Sequence, residues 1–250
     1  VSGATTTDDS FLGGRLRLAQ PGKGYRAGID AVLLAAAVPA APGERVLELG
    51  LGTGAVSLCL AARVPGLALA GLELQPAYAA LARRNAAANG VALEVIEGDL
   101  AAMPVALRAR SFDHVVMNPP YFRRTAGTAA ADPGREAALG EGVPLDLWVA
   151  AGARRLRPGG RLTAIQRAER LPELLAACAG RLGSLELRPV LPRAGRAATL
   201  VLLRARKGGR APFRLAAPLV LHEGDRHAAD TESYRSEVQA ILRQGAALAF

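Results

Sequence analysis

The chain has 250 residues, half of them hydrophobic, with 31 Lys and Arg against 22 Asp and Glu. That balance excludes a disordered chain, a collagen and a disulfide-stapled miniprotein, and the length suits one α/β domain with a sizeable core. Two cysteines, Cys59 and Cys178, are too few for a disulfide framework or an all-cysteine zinc site, which points to a reducing compartment. Taken in chain order, Phe11–Ala19 reads as a small hairpin or a strand leading to a helix near Asp30–Val38. The longest apolar stretch, Ala31–Ala41, is about half of what a membrane span needs, and no signal peptide is visible, so a soluble cytoplasmic protein is expected. Val46–Leu49, Ala68–Leu72, Leu93–Ile96, Val115–Met117 and Arg161–Ile165 read as strands. Between and after them, Ala55–Arg63, Pro76–Ala88, Leu145–Leu156 and Leu171–Leu182 read as helices. Leu185–Val190 and Thr199–Ala205 are predicted as two late strands, followed by a strand at Leu219–His222 and a helix over Glu232–Arg243. The alternation predicts an α/β fold, a parallel sheet with helices on both faces. Residues 1–41 are expected to form a hairpin and helix cap on a domain spanning 42–250.

The net charge of +9 suggests a polyanionic partner, because basic surface attracts phosphate. Only two residues are lysine, Lys23 and Lys207, so an arginine-rich coding bias explains the charge equally well.

The first informative segment is Glu48-Leu-Gly50-Leu-Gly52-Thr-Gly54, where a hydrophobic strand runs into three glycines and then a helix pattern. Glycine suits a turn at positive φ and lets a ligand approach the backbone without a Cβ in the way. Gly50, Gly52 and Ala55 also satisfy the loose dinucleotide fingerprint, so a nicotinamide cofactor remains open at this point. With its leading acid the segment resembles motif I of class I S-adenosylmethionine (SAM) methyltransferases. Glu73, closing the next strand, can accept from both hydroxyls of a ribose. Asp99 stands where those methyltransferases contact the adenine amino group, and Leu74 and Leu100 adjoin the two acids. Glu48, Gly50, Gly52, Gly54, Glu73, Leu74, Asp99, Leu100 and Asn118 are accordingly the expected cofactor set.

The fourth strand ends in Asn118-Pro119-Pro120-Tyr121-Phe122. An exocyclic amine is a poor nucleophile because its lone pair is delocalised into the ring. Two acceptors, the Asn118 side-chain oxygen and the Pro119 carbonyl, can bind both amino hydrogens and hold the nitrogen toward an electrophile. Pro119 and Pro120 stiffen the loop without adding donors. Tyr121 and Phe122 offer aromatic faces to a splayed base, and Arg123 and Arg124 lie next in sequence for phosphate contact. Asn118→Asp keeps an acceptor and the shape, so on this reading it retains more activity than Asn118→Ala. The motif resembles motif IV of amino-methyltransferases, and no metal is required.

With both segments in place, the chain resembles the bacterial tRNA1(Val) adenine-N6 methyltransferase family, within the small-domain methyltransferase group. The resemblance includes Tyr25–Leu34, where a Gly-x-Asp segment caps the cofactor pocket in that family, adding Arg26, Gly28 and Asp30 to the cofactor candidates. Arg157–Leu162 looks like a later methyltransferase motif, and Glu232–Tyr234 is similar more weakly. The resemblance implies a seven-stranded Rossmann-like sheet of order 3-2-1-4-5-7-6, SAM as cofactor, tRNA as substrate and methylation of the adenine 3′ of the anticodon; a monomer is expected. Release-factor glutamine N5-methyltransferases and guanine-N2 rRNA methyltransferases use related motifs and stand as alternatives, as does a catalytically silent SAM-binding or nucleic-acid-binding module. The basic charge and short amino-terminal element favour RNA. His114, His222 and His227 show no metal spacing. Trp148 is expected in the core, and Arg193, Arg196, Arg204, Arg206, Lys207 and Arg210 form a diffuse basic group.

Overall fold

The computed structural model describes residues 5–123, 140, 141, 143–224 and 233–250, with only the backbone of residues 122, 123, 140 and 141. An antiparallel hairpin, β1 (Thr6–Phe11) and β2 (Leu16–Pro21), opens the chain. Its turn falls on Leu12–Gly14, inside the stretch read as a hairpin or a strand, where Gly13 and Gly14 take φ of +65° and +91°. Helix α1 (Ile29–Ala37) follows, then β3 (Arg45–Leu49), α2 (Ala55–Arg63), β4 (Ala68–Glu73), α3 (Pro76–Ala88) and β5 (Leu93–Glu97). Pro76 starts α3 as a first-turn proline should. After the single-turn α4 (Val105–Arg108) and β6 (Phe112–Met117), two short strands, β7 (Phe122–Arg123) and β8 (Gly140–Glu141), pair in parallel. The chain continues through α5 (Leu145–Arg155), β9 (Leu156–Arg167), α6 (Leu171–Cys178), β10 (Gly183–Arg193), β11 (Leu200–Arg206), β12 (Arg214–Leu215), β13 (Leu219–His222) and α7 (Ser236–Gln244).

The main sheet runs β12-β10-β11-β9-β6-β3-β4-β5. From β5 to β10 this is the expected order 3-2-1-4-5-7-6, with β11 antiparallel to both neighbours. Two further strands extend it: β12 and β13 each pair with β10, so the sheet has nine strands rather than seven. Side chains alternate across it. Val46, Val116 and Ile165 face one buried cluster with α1, α2 and α7, while Leu47, Leu49, Val115, Met117 and Leu162 face the other with α5 and α6. Among the described residues, no helix is long and apolar enough to cross a membrane.

The hairpin is joined to the rest by two asparagines of α3 and its C-terminus. Buried Asn85 accepts from the Ala19 N–H at 2.8 Å, and its Nδ2 donates to the carbonyls of Ala19 at 3.0 Å and Thr53 at 2.9 Å. One turn later Asn89 repeats the pattern on Arg17, accepting at 3.1 Å and donating at 2.8 Å. Asn85→Ala strands one buried donor and two carbonyls at once. It should destabilise the fold by about 2–4 kcal/mol, read from the denaturant midpoint, whereas Asn89→Ala, at a more exposed rung, should cost less than half as much.

Candidate active site

The parallel strands β3, β4, β5 and β6 deliver their carboxyl ends to one side of the sheet, at the point where strand order reverses between β3 and β6. Open α/β sheets bind ligands at such a crevice. A cavity of about 130 Å³ lies there, its walls including Gly50, Gly52, Glu73, Leu74, Asp99, Leu100 and the whole Asn118–Tyr121 segment, together with Tyr25, Tyr78 and Trp148.

The turn after β3 has the backbone that the glycines implied. Gly50, Gly52 and Gly54 take φ of +70°, +56° and +84°, and the amides of Gly50 and Leu51 both donate to the Leu72 carbonyl at 2.9 Å. A Cβ on Gly50 would stand 2.6 Å from the Trp148 ring, so that glycine is required by packing as well as by conformation. Gly54 caps α2 and does not line the cavity.

Glu73 is buried, and each carboxylate oxygen takes one backbone amide: Gly52 at 2.7 Å and Gln75 at 2.8 Å. Burial pushes its pKa upward against those amides. Each oxygen keeps acceptor capacity for a ligand hydroxyl. Asp99 is exposed at the cavity wall, its Oδ1 accepting from the Ala101 amide at 2.8 Å. Leu74, 58% exposed although large and apolar, offers a flat contact beside Glu73.

Glu48 lies elsewhere. Strand alternation turns it to the Val46 face, under α2, where it is 3% exposed and its Oε2 accepts from the Ser57 amide at 3.0 Å and the Ser57 hydroxyl at 2.5 Å. It therefore braces the start of α2 instead of lining the cavity. Burial pushes its carboxyl up to about 8 despite the two bonds from Ser57.

At the end of β6, Asn118 donates through Nδ2 to Asp30 Oδ2 at 2.9 Å and to the Tyr25 hydroxyl at 3.3 Å. Its Oδ1 is buried and accepts from no group among the described residues. The Pro119 and Pro120 carbonyls take hydrogens from Gln166 Nε2 at 3.3 and 3.4 Å, and buried Arg170 donates to Pro120 at 2.9 Å while pairing with Glu173. Tyr121 donates to Asp30 Oδ2 at 2.7 Å; burial first, then the Asp30 charge, drive its phenol pKa far upward. Asp30, Gly28 and Arg26 line a second cleft, bordered by Tyr25 and Tyr121, and are not walls of the first cavity. Arg26 is committed to the hairpin through Asp9 and Thr7. Phe122 and Arg123 are placed by backbone alone, and Arg124 lies outside the described residues.

The sequence reading missed Tyr25, Tyr78, Gln166 and Arg170, and it treated Trp148 only as core. Tyr78 holds Tyr25 by accepting from its amide at 2.8 Å and donating to its carbonyl at 3.1 Å, a contact across 53 positions that no local pattern announces. Trp148 is indeed buried, yet it also lines the cavity, with an indole N–H that meets no acceptor among the described residues.

A 3-2-1-4-5-7-6 sheet with its cavity at the switch point is the architecture of a class I methyltransferase. The chain belongs to the methyltransferase small domain family, whose model matches residues 26–185. A relative from Dickeya chrysanthemi, named tRNA1(Val) (adenine(37)-N6)-methyltransferase, is 30% identical over 226 residues, covering 87% of this chain and 86% of its own. A release factor glutamine methyltransferase from Deinococcus radiodurans is 35% identical over 176 residues, 66% of this chain and 59% of its own. Among solved structures, a predicted O-methyltransferase from Agrobacterium tumefaciens superposes with a TM-score of 0.71 at 30% identity, covering 88% of this chain and 99% of that one.

The raised carboxyl of Glu48 makes a stability prediction with a definite sign. A folded-state value near 8, against 4.5 unfolded, means stability is fully present below pH 4.5 and declines until pH passes 8. Glu48→Gln keeps the bonds from Ser57 and removes the titration. Unfolding free energies from denaturant titrations at about pH 5.5, 7 and 8.5 should fall by a few kcal/mol for the wild type and by clearly less for the variant, in which buried Glu73 still titrates.

Proposed function

We propose that the protein is a SAM-dependent methyltransferase that transfers a methyl group to N6 of an adenine in tRNA, the adenine 3′ of the anticodon at position 37 of valine tRNA. The observation that carries this reading is the buried Oδ1 of Asn118, without a partner among the described residues, on a residue that lines the cavity together with Pro119. An orphaned buried acceptor costs about 1–3 kcal/mol unless a ligand hydrogen meets it, and an exocyclic amine brings two.

The cavity suits SAM in three respects. Its glycine wall leaves backbone accessible, Glu73 retains an acceptor position on each oxygen for the two ribose hydroxyls, and Asp99 with Leu74 and Leu100 offers an acceptor and apolar contact for an adenine. When bound, SAM supplies an electrophilic methyl group on a sulfonium. The protein's part is orientation. Asn118 Oδ1 and the Pro119 carbonyl take the amine hydrogens, aim the nitrogen at the methyl and favour positive charge as it develops there. The Tyr121 ring holds the base by stacking. In this reading the protein acts in the cytoplasm as a monomer, and no metal takes part.

Transfer to the carboxamide of a release-factor glutamine is the second reading, favoured by the Deinococcus radiodurans relative, since a carboxamide also offers two hydrogens on a weak nucleophile. The larger share of the tRNA-named relative's length that this chain covers, 86% against 59%, supports tRNA. Incubating the protein with unmodified total tRNA and with release factor in parallel, followed by nucleoside and peptide mass analysis, decides between them: N6-methyladenosine is the expected product.

Asn118→Ala should lower single-turnover transfer by about 10²-fold or more while SAM dissociation changes little. Tyr121→Ala should weaken acceptor binding by about 1–3 kcal/mol. Tyr121→Phe keeps the ring and loses the bond to Asp30, a cost of about 1 kcal/mol. The net charge of +9 adds a salt test. Transfer at subsaturating tRNA should drop about tenfold or more between roughly 50 and 200 mM salt, with SAM affinity far less affected; a flat response would return the arginines to coding bias.

A further inference from the structure

Asp30 sits at the start of α1, 88 positions before Asn118, and reaches the acceptor loop without lining the cavity. One oxygen, Oδ2, receives both the Asn118 amide at 2.9 Å and the Tyr121 hydroxyl at 2.7 Å. The other, Oδ1, receives the Gly28 amide at 3.1 Å, which locks the carboxylate to the first turn of its own helix. A side-chain amide has two orientations that differ by exchange of its oxygen and nitrogen, and a carboxylate accepts hydrogens only. Asp30 therefore selects one of the two, Nδ2 toward α1, and leaves Oδ1 without a partner among the described residues.

We propose that Asp30 is a positioning residue for methyl transfer, fixing the Asn118 amide with its oxygen presented to the incoming amine and setting the Tyr121 ring through the same carboxylate oxygen. This rests on the amino-methyl-transfer reading of the site. It also moves Asp30 out of the cofactor-binding role that the family resemblance implied, and it changes the expectation for Asn118→Asp. A carboxylate at position 118 would face a second carboxylate where the native pair sits at 2.9 Å. Like charges at that spacing cannot both ionise in place, so the loop carboxyl takes a proton or swings away. Asn118→Asp should thus be as poor as Asn118→Ala.

The test exchanges the two side chains. Asn118→Asp alone should lose about 10²-fold in single-turnover transfer. Adding Asp30→Asn puts the amide on α1 and the carboxylate on the loop, with the hydrogen bond restored in the opposite direction. The double variant should regain at least about tenfold over Asn118→Asp. Asp30→Asn by itself still accepts from both partners and should stay within about tenfold of the wild type, while Asp30→Ala should lower kcat about 10²-fold and leave the KM for SAM nearly unchanged. The rescue reads the contact between the two side chains, and the positioning role is read from Asp30→Ala, where kcat falls while the KM for SAM holds. A folded, SAM-binding double variant no faster than Asn118→Asp would overturn the proposal, as would an Asp30→Ala protein with wild-type kcat. One readout is independent of activity: the Asn118 side-chain NH2 should show slowed hydrogen exchange by NMR in the ligand-free wild type, and that protection should drop about tenfold or more in Asp30→Ala, where only the longer bond to Tyr25 is left. Wild-type protein that modifies neither tRNA nor release factor, yet shows the protected amide, would sink the functional reading and leave the hydrogen bond standing; an unprotected amide would sink the inference itself.

Discussion

The site depends on one backbone event, the exit of the chain from β3 through three left-handed glycines. Gly50 and Leu51 both point their amides at the Leu72 carbonyl, which ties the turn to β4 before the chain enters α2. With that turn fixed, Gly52 is placed to donate to Glu73, and α2 is placed to cover Glu48. Trp148, from a helix on the opposite face, closes over the space a side chain on Gly50 would have filled. Parallel neighbours on either side then bring Glu73 and Asn118 to the same end of the sheet without any further device.

The acceptor loop is built on a different principle. Asn118–Tyr121 is braced from outside itself, by Asp30 and Tyr25 and by Gln166 and Arg170. Those four residues come from the amino-terminal segment and from β9 with the 3₁₀ turn that follows it. The loop is thus held by elements that reach it from both sides of the sheet. Polar networks of this kind hold one geometry only when all of their members are satisfied. Asn118 Oδ1 is the member left open.

Patterns that depend on neighbours in sequence were legible, and those that depend on distant ones were not. The bounds of α2 and α3 follow from apolar spacing, a first-turn proline and an asparagine-glycine stop, and the structure reproduces them residue for residue. The glycine turn, Glu73, Asp99 and the Asn118–Tyr121 segment line the cavity because strand ends place them there. Glu48 carried the same motif but faces away, and strict alternation from Val46 already contained that information. Asp30 was visible as a motif residue, yet its partners could not be deduced, since its hydrogen bonds span about ninety positions. The basic residues were the least legible. Antiparallel pairing sets Leu200 beside Arg167 at the cavity end and Arg206 beside Arg161 at the far end, so Arg206, Lys207 and Arg210 lie away from the acceptor loop while Arg193 and Arg196 lie near its end of the sheet.

The amino-terminal hairpin is a two-stranded sheet, a construction that is marginal in water when left alone. Here a helix stands in for the missing third strand. The amides of Asn85 and Asn89, spaced one helical turn apart, meet alternate residues of β2 as a neighbouring strand's peptide groups would. Side chains thereby occupy the hydrogen-bonding edge that β2 would otherwise present to another chain, and that edge is closed to strand addition. Asn85 also holds the Thr53 carbonyl, so the side chain that closes this edge braces the glycine turn as well.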